Sequence, residues 1–274
     1  MRRIHRIPSA AAIVALAACT LLSACGDDQE DREYVLVWAD EFDGPVDTPI
    51  DPEKWVHDVG GGGWGNNQLE YDTDRPENAS LDGEGSLRII AREEEFGGRD
   101  YTSARIKTQG LFEQTYGRFE ARIKLPRGQG IWPAFWMLGS NFPEVGWPEC
   151  GEIDIMEYRG QEPYRILGSA HGPGYFGARP YSTTYDLPVG NFDEGFHVFS
   201  IEWTENRITW FVDDVPYQRM RPEDLPVNGR WVFDQPFFLI LNVAVGGNFV
   251  GSPDASTQFP QTMLVDYVRV YELK

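Results

Sequence analysis

Cysteine is scarce in this sequence, with three cysteines in 274 residues at positions 19, 25 and 150. Two of them lie in the N-terminal apolar segment, so Cys150 is the thiol left for the folded domain if that segment is processed at Cys25. A lone cysteine cannot form an internal disulfide. We also find no histidine paired with Cys150 that would activate it, and expect a small, partly buried residue rather than a nucleophile.

Histidine and basic residues are also few. None of the four histidines has the spacing of a zinc-binding helix, which argues against a catalytic transition metal, and we predict no cofactor for catalysis. Lysine and arginine number 24 against 43 acidic residues, for a formal charge of −19. Loss of Arg2, Arg3 and Arg6 with the N-terminal segment would take this charge to −22. Such a chain should repel phosphates, so no nucleic-acid partner is expected.

The N-terminal apolar run covers 10–22. This run is too short to span a bilayer permanently. Because arginines precede this run, it has the pattern of a bacterial secretory signal. The run ends in Leu-Ser-Ala-Cys, which looks like a lipobox with Cys25 as the acylated residue. Cys19 also fits the pattern, but Cys25 is preferred because polar residues follow it immediately.

This N-terminal pattern predicts a signal peptide at 1–25, an acidic tether at 26–33 and a catalytic domain at 34–274. The protein is expected to be exported from a bacterium. It would be lipid-anchored through Cys25 at the cell surface or in the periplasm, or secreted if the lipobox is not used.

Helical patterns are nearly absent after position 33, whereas short strand patterns are frequent. Segments rich in β-branched and aromatic residues alternate with glycine- and proline-containing turns, which is typical of an all-β sandwich. The predicted strands include 86–91, 117–125, 196–203, 207–212 and 236–245. In 117–125 apolar residues at 119, 121, 123 and 125 alternate with charged ones, as in a strand with one buried face.

One predicted strand, 152–157, carries three carboxylates. Because side chains alternate along a strand, Glu152 and Asp154 share a face opposite the isoleucines at 153 and 155. Strict alternation would bury Glu157 in the core, which is costly, and a β-bulge near Met156 would return it to the face of the other acids. The two glutamate backbones would then lie ~13 Å apart.

That spacing is compatible with carboxyl groups about 5 to 5.5 Å apart, the separation in a retaining glycosidase. Crowding of like charges would raise at least one pKa and keep one carboxyl protonated as a general acid. The residues alone leave two alternatives open, a solvated acidic strand edge and a metal cluster.

The segment 151–158 resembles the E-x-D-x-x-E signature of glycoside hydrolase family 16, in the bulged form of its laminarinase-like members. Further blocks in family order cover nearly the whole mature chain, at 64–71, 75–81, 101–108, 116–139, 171–175, 196–203, 236–248 and 265–271. The resemblance implies a concanavalin A-like β-jelly roll. Its two curved antiparallel sheets would carry a substrate cleft on the concave face.

The resemblance also implies roles for individual residues. Glu152 would be the nucleophile, Glu157 the general acid and base, and Asp154 the residue that orients Glu152. Amides and an aromatic plate in the loop 60–67 suit sugar binding. The predicted substrate-binding residues are Asn66, Arg105, Trp132, Trp136, Trp147 and His171. Core packing is the alternative for the tryptophans.

A structural calcium ion is a further implication of the resemblance. The matching positions are Glu41, Gly85, through its backbone carbonyl, and Asp266. Calcium needs only oxygen ligands, and two of these three would be backbone oxygens that any residue provides.

The expected function is that of an endo-β-1,3-glucanase acting on laminarin-like glucans, with a monomeric chain and a β-glucan as its partner. Related enzymes on agarose, porphyran or carrageenan share the carboxylates, but the acidic balance argues against an anionic substrate. Alternatives are a mixed-linkage β-1,3-1,4-glucanase, a glucan transglycosylase, or a catalytically silent glucan-binding lipoprotein.

Overall fold

Seventeen strands and one four-residue α-helix are formed within residues 33–274, the part of the chain that the computed structural model describes. The strands in chain order are β1 (Tyr34–Asp40), β2 (Val56–Asp58), β3 (Glu70–Asp72), β4 (Ala79–Leu81), β5 (Leu87–Phe96), β6 (Arg99–Ser103), β7 (Arg105–Lys107), β8 (Gly117–Lys124), β9 (Ile131–Gly139), β10 (Glu152–Tyr158), β11 (Arg165–His171), β12 (Tyr181–Asp186), β13 (His197–Thr204), β14 (Arg207–Val212), β15 (Val215–Met220), β16 (Phe237–Val245) and β17 (Gln261–Leu273). Helix α1 is Phe142–Val145, and a 3₁₀ turn covers Pro222–Asp224.

These strands form two sheets. The ten-stranded sheet has the order β15-β14-β13-β8-β17-β5-β6-β3, with β1 joined to β17 and β4 to β5. The seven-stranded sheet has the order β12-β11-β10-β9-β16-β7-β2. All pairs are antiparallel except the parallel pair of β3 with β6. The predicted all-β, jelly-roll sandwich is thereby confirmed.

The core lies between the two sheets and follows from the period-two pattern of the strands. On β8, Phe119, Ala121 and Ile123 are fully buried, as their alternation predicts. On β10, Ile153 and Ile155 are buried in the same hydrophobic cluster. Each sheet therefore has one face in the core, and its polar residues lie on the opposite face.

Residues 33–274 form one compact unit. No helix within this range is both long and apolar enough to cross a membrane. The predicted signal peptide and the lipidation site Cys25 lie outside the described residues.

Candidate active site

The three carboxylates of β10 lie on one face of the seven-stranded sheet because the strand contains a bulge. Glu152 and Asp154 pair with His171 and Ser169 of β11, but Glu157 pairs with Leu167 after a register shift. The pairing with β9 shifts at the same place, between Asp154 and Met156. One extra residue thus reverses the alternation and brings Glu157 to the face of the other two acids, as predicted from the sequence.

A tryptophan of the opposite sheet binds the backbone of this bulge. The indole N–H of Trp210, a fully buried residue of β14, donates to the carbonyl oxygen of Asp154 at 2.9 Å. Asp154 is the residue after which both registers shift. A hydrogen bond from the core thus holds the backbone of the bulge, whose position determines where the three carboxylates lie.

His171 lies beside two of the acids. Its Nε2 is 3.2 Å from Asp154 Oδ2 and 3.6 Å from Glu152 Oε1. Asp154 is 4% exposed, whereas Glu152 is partly exposed. The histidine was predicted near the nucleophile, and the structure places it against both carboxylates.

Burial dominates the acidity of this cluster. Burial raises the pKa of Glu152 to about 8, with a further contribution from the charge of Asp154. Burial and the charge of Glu157 raise the pKa of Asp154 well above its ordinary value. Burial also raises the pKa of Glu157, against the lowering effects of His171, Ser169 and Trp132. Like charges this close cannot all ionise at neutral pH, so the cluster holds protons there.

The surroundings of Glu157 combine a hydroxyl and an aromatic stack. Ser169 Oγ donates to Glu157 Oε2 at 3.3 Å. Trp132, predicted to bind substrate, is buried and packs on Phe249 with ring centroids 4.9 Å apart. The guanidinium of Arg159 lies on the same Phe249 ring, 4.2 Å from its centroid. Trp132 thus contributes more to the wall beside Glu157 than to an open sugar platform.

Arg105 lies between two tryptophan rings at the other side of the site. Its guanidinium is 4.7 Å from the Trp64 centroid and 4.8 Å from the Trp136 centroid, and its Nε donates to Asp58 at 3.0 Å. Trp136 in turn donates its indole N–H to Asn242 Oδ1 at 2.8 Å. This stack fixes a cation and an apolar surface, the two kinds of group that a sugar ring can contact.

Asn66 and Trp147 lie on loops. Asn66 is exposed, and its backbone carbonyl oxygen accepts a hydrogen bond from the backbone N–H of Asn248 at 2.9 Å. Trp147 is 40% exposed and stands near the His171 ring at 5.9 Å between centroids. Both side chains are accessible to a ligand. Trp147 contacts His171, which in turn lies beside Glu152 and Asp154.

Several contributing residues were not identified from the sequence. Asp58 and Trp210 carry no local signal, because their partners lie 47 and 56 positions away. Asn242 could have been found, since it is a polar residue inside the apolar run of β16. In the structure its register partner is Arg105, so the two residues lie side by side on adjacent strands.

Behind the tryptophan–arginine stack lie two buried carboxyls, Glu70 and Asp72 of β3. Glu70 accepts the Val245 N–H at 2.8 Å, and burial raises its pKa to about 7. Burial and the neighbouring Glu70 raise the pKa of Asp72 well above its ordinary value. Glu70 thus supports the end of β16 through Val245.

The remaining predicted residues lie elsewhere. Cys150 is fully buried, and burial raises the pKa of its thiol to about 12, which agrees with a structural role. Glu41 forms a two-bond ion pair with Arg269, and Asp266 pairs with Arg122 at 2.7 Å. Calcium at Glu41, Gly85 and Asp266 would compete with Arg122 for the Asp266 carboxylate. The calcium site stays a prediction, and a calcium-dependent rise in melting temperature that Asp266→Ala abolishes would test it.

Comparison with known proteins gives consistent matches over nearly the whole described part. A family model described as "Glycosyl hydrolases family 16" matches residues 64–269. The beta-glucanase of Rhodothermus marinus is 46% identical over 266 residues, which cover 93% of this chain and 91% of that protein. The glucan endo-1,3-beta-glucosidase of Cryptopygus antarcticus is 38% identical, with 86% and 91% covered. The catalytic domain of an endo-1,3-beta-glucanase (laminarinase) from Thermotoga petrophila RKU-1 has 52% identity and a TM-score of 0.85, with 89% and 99% covered.

Proposed function

The chain belongs to glycosyl hydrolase family 16, and we propose that it is a retaining endo-β-1,3-glucanase that cuts internal bonds of laminarin-like glucans. The observation that carries this proposal is the bulge of β10, which presents Glu152, Asp154 and Glu157 on one face. The stack of Arg105 with Trp64 and Trp136 lies on the same sheet. It supplies binding groups for an uncharged sugar chain beside the acids.

The first step would be a displacement at the anomeric carbon. A carboxylate oxygen of Glu152 attacks, the bond to the leaving oxygen breaks, and Glu157 gives its proton to that oxygen. Glu157 then takes a proton from water, whose oxygen attacks the same carbon and releases Glu152. Two inversions leave the β configuration unchanged.

Asp154 would decide which carboxyl carries the negative charge. It is the most buried of the three acids, and its burial and the charge of Glu157 raise its pKa well above the ordinary value, so it would hold a proton. Protonation of Asp154 removes the largest electrostatic contribution to the raised pKa of Glu152. Glu152 can then act as a carboxylate while Glu157, with its raised pKa, remains the acid.

The roles are tested by chemical rescue. Glu152→Ala should lose activity by orders of magnitude and regain turnover with azide, giving an α-glycosyl azide. Glu157→Ala should not give this product, and Asp154→Asn should be milder. Near-native activity of Glu157→Ala on unactivated polysaccharide would contradict the assignment.

The substrate is tested by comparison of laminarin, mixed-linkage glucan, agarose and carrageenan in a reducing-sugar assay. Laminarin should be cut fastest, mixed-linkage glucan more slowly, and the two galactans not at all. Early proton NMR spectra should show β-anomeric products. Faster release from agarose would contradict the glucanase proposal, a faster mixed-linkage rate would favour the lichenase-like alternative, and elongated oligosaccharides would indicate transglycosylation.

We also propose that the protein is exported and anchored by a lipid on Cys25, as a monomer. The sequence pattern of residues 1–25 supports the export and the lipid anchor. Labelled palmitate should enter the wild-type protein and disappear in Cys25→Ser. Loss of label only in Cys19→Ser would move the site, and no label in either protein would indicate a freely secreted enzyme.

A further inference from the structure

The carboxylate cluster also has the donor set of a transition-metal site. Glu152, Asp154 and His171 each offer one ligand atom, and these atoms all lie within 4.8 Å of one another. No other group of three histidine, cysteine or acidic residues between 33 and 274 comes together in this way. Two carboxylates and one imidazole suit Zn²⁺ in both charge and ligand type.

The two separations to the histidine agree with one coordination sphere, and the carboxylate oxygens of Glu152 and Asp154 lie within 4.8 Å of each other. Zinc holds nitrogen and oxygen ligands at roughly 2.0 to 2.2 Å, which places tetrahedral ligands about 3.4 Å apart. His171 Nε2 lies 3.2 Å from Asp154 Oδ2 and 3.6 Å from Glu152 Oε1. Each of these two carboxylate oxygens therefore needs little movement to share one ion with His171 Nε2.

A second observation is independent of these spacings. Asp154 Oδ2 is buried and forms no hydrogen bond with any residue of 33–274, and the Asp154 side chain, which is 5% exposed, lies against the imidazole. An unpaired buried oxygen is costly, and a bound cation would remove that cost.

We propose that Glu152, Asp154 and His171 bind one Zn²⁺ ion, and that zinc bound there inhibits hydrolysis because it occupies the nucleophile. Glu152 is the most exposed of the three ligands, so the ion would enter from the cleft and keep a water as its fourth ligand. Glucan and zinc then compete for the same carboxylate. The inhibition rests on the proposed function, whereas the binding does not.

The test measures zinc binding directly, by calorimetry on the untagged protein with Zn²⁺ and with Mg²⁺. One Zn²⁺ should bind per chain, and Mg²⁺ should not compete because it prefers octahedral oxygen ligands. His171→Gln should weaken zinc binding at least tenfold, in line with the effect of disturbing a metal ligand. Co²⁺ in place of Zn²⁺ should give the visible absorption of a four-coordinate ion in wild type and not in His171→Gln.

His197→Gln is the matched control. His197 also lies against a carboxylate, with Nδ1 2.7 Å from Asp213 Oδ2, but within the described part of the chain it belongs to no group of three ligands. Zinc affinity should stay within twofold in this variant, and zinc should raise the KM for laminarin in wild type. Absence of zinc binding, or equal affinity in His171→Gln, would overturn the site. Binding that needs His171 in a chain inactive on every glucan would keep the metal site and refute the glucanase proposal.

Discussion

Two strands of this sandwich carry acidic residues on an outward face, and the two faces treat them differently. On β8, Glu120 accepts from Arg118 Nε at 2.8 Å, and Arg122 of the same strand pairs with Asp266. On β10, Glu152 and Asp154 have His171 as their neighbour, and Glu157 has the Ser169 hydroxyl. Glu120 thus has a guanidinium fixed beside it, whereas none of the three acids of β10 forms an ion pair with an arginine of residues 33–274.

The presence or absence of an arginine neighbour affects the pKa of a carboxyl group. Where an arginine binds a carboxylate, the ionised form is favoured, and the guanidinium of Arg269 on β17 lowers the pKa of Glu41, which follows β1, in this way. On β10 burial raises the pKa of all three acids. The ionised form of Glu41 is thereby favoured, whereas the acids of β10 hold protons at neutral pH.

The largest effect is expected from removing an acid on each face. Glu157→Gln should lower kcat on laminarin by roughly 10²- to 10⁴-fold, the usual contribution of a general acid. Glu120→Gln removes the acid that pairs with Arg118 and should leave kcat/KM within twofold. Both variants should show wild-type circular dichroism. An equal loss of activity in the two would abolish the distinction between the faces.

A smaller loss is expected when the bulge loses its bond to the core. Trp210→Phe keeps an aromatic ring but removes the donor to the Asp154 carbonyl. One neutral hydrogen bond is worth about 1 kcal/mol. If the bond acts on the position of the acids, kcat should fall on the order of tenfold with KM nearly unchanged.

Trp203→Phe is the control for this variant. Trp203 is also fully buried and donates its indole N–H to a carbonyl, that of Phe233, at 3.1 Å. It should lower the melting temperature by a similar amount but leave kcat near wild type. Equal kcat losses would show that Trp210 acts only through general stability.

A cation placed beside Glu157 would give this acid the kind of neighbour that Glu120 has on β8. Leu167 is the cross-strand partner of Glu157 and is partly exposed. In Leu167→Lys the ammonium should lower the pKa of Glu157, and the acid form would be lost at lower pH. The alkaline limb of kcat/KM should therefore move down by about one pH unit. Leu167→Met, similar in size and neutral, should leave the limb in place.

The two faces should also give stability opposite pH dependences. An acid whose pKa is raised on folding stabilises the fold below its unfolded pKa, and this contribution is lost as the pH rises through the folded pKa. For Glu152 the window is from 4.5 to about 8. Urea unfolding midpoints should fall between pH 5 and 8.5, and less steeply in Glu152→Gln.

Glu41 has the reverse sign, because its pKa is lowered. Its contribution is present above the unfolded pKa of 4.5 and is lost as the pH falls through the folded value. Arg269→Gln should therefore destabilise the protein near neutral pH and lose its effect in acid. The two side chains are 32% and 42% exposed, so solvent screens the pair and the change should stay below about 1 kcal/mol. A steeper alkaline decline in Arg269→Gln would contradict the assignment of signs.

The strands were predictable because the alternation of apolar and polar residues is a local property of each strand's own sequence. The segment 207–212 was predicted as a strand and is β14 without any difference in bounds, and the predicted 236–245 differs from β16 by one residue. The bulge of β10 was predictable for another local reason. Three acids and two isoleucines in one short strand cannot all be placed without burying a carboxylate unless the alternation shifts.

The sequence by itself determined the all-β class, the buried and exposed faces of the main strands and the identity of the three cleft acids. Only the tertiary structure decided what surrounds them: Asp58 against Arg105, Phe249 against Trp132 and Trp210 against the Asp154 carbonyl. The physical reason is the range of the interactions. Alternation depends on neighbours along one strand, whereas these contacts join strands and loops far apart in the chain, whose meeting depends on sheet order, register and the stacking of two sheets.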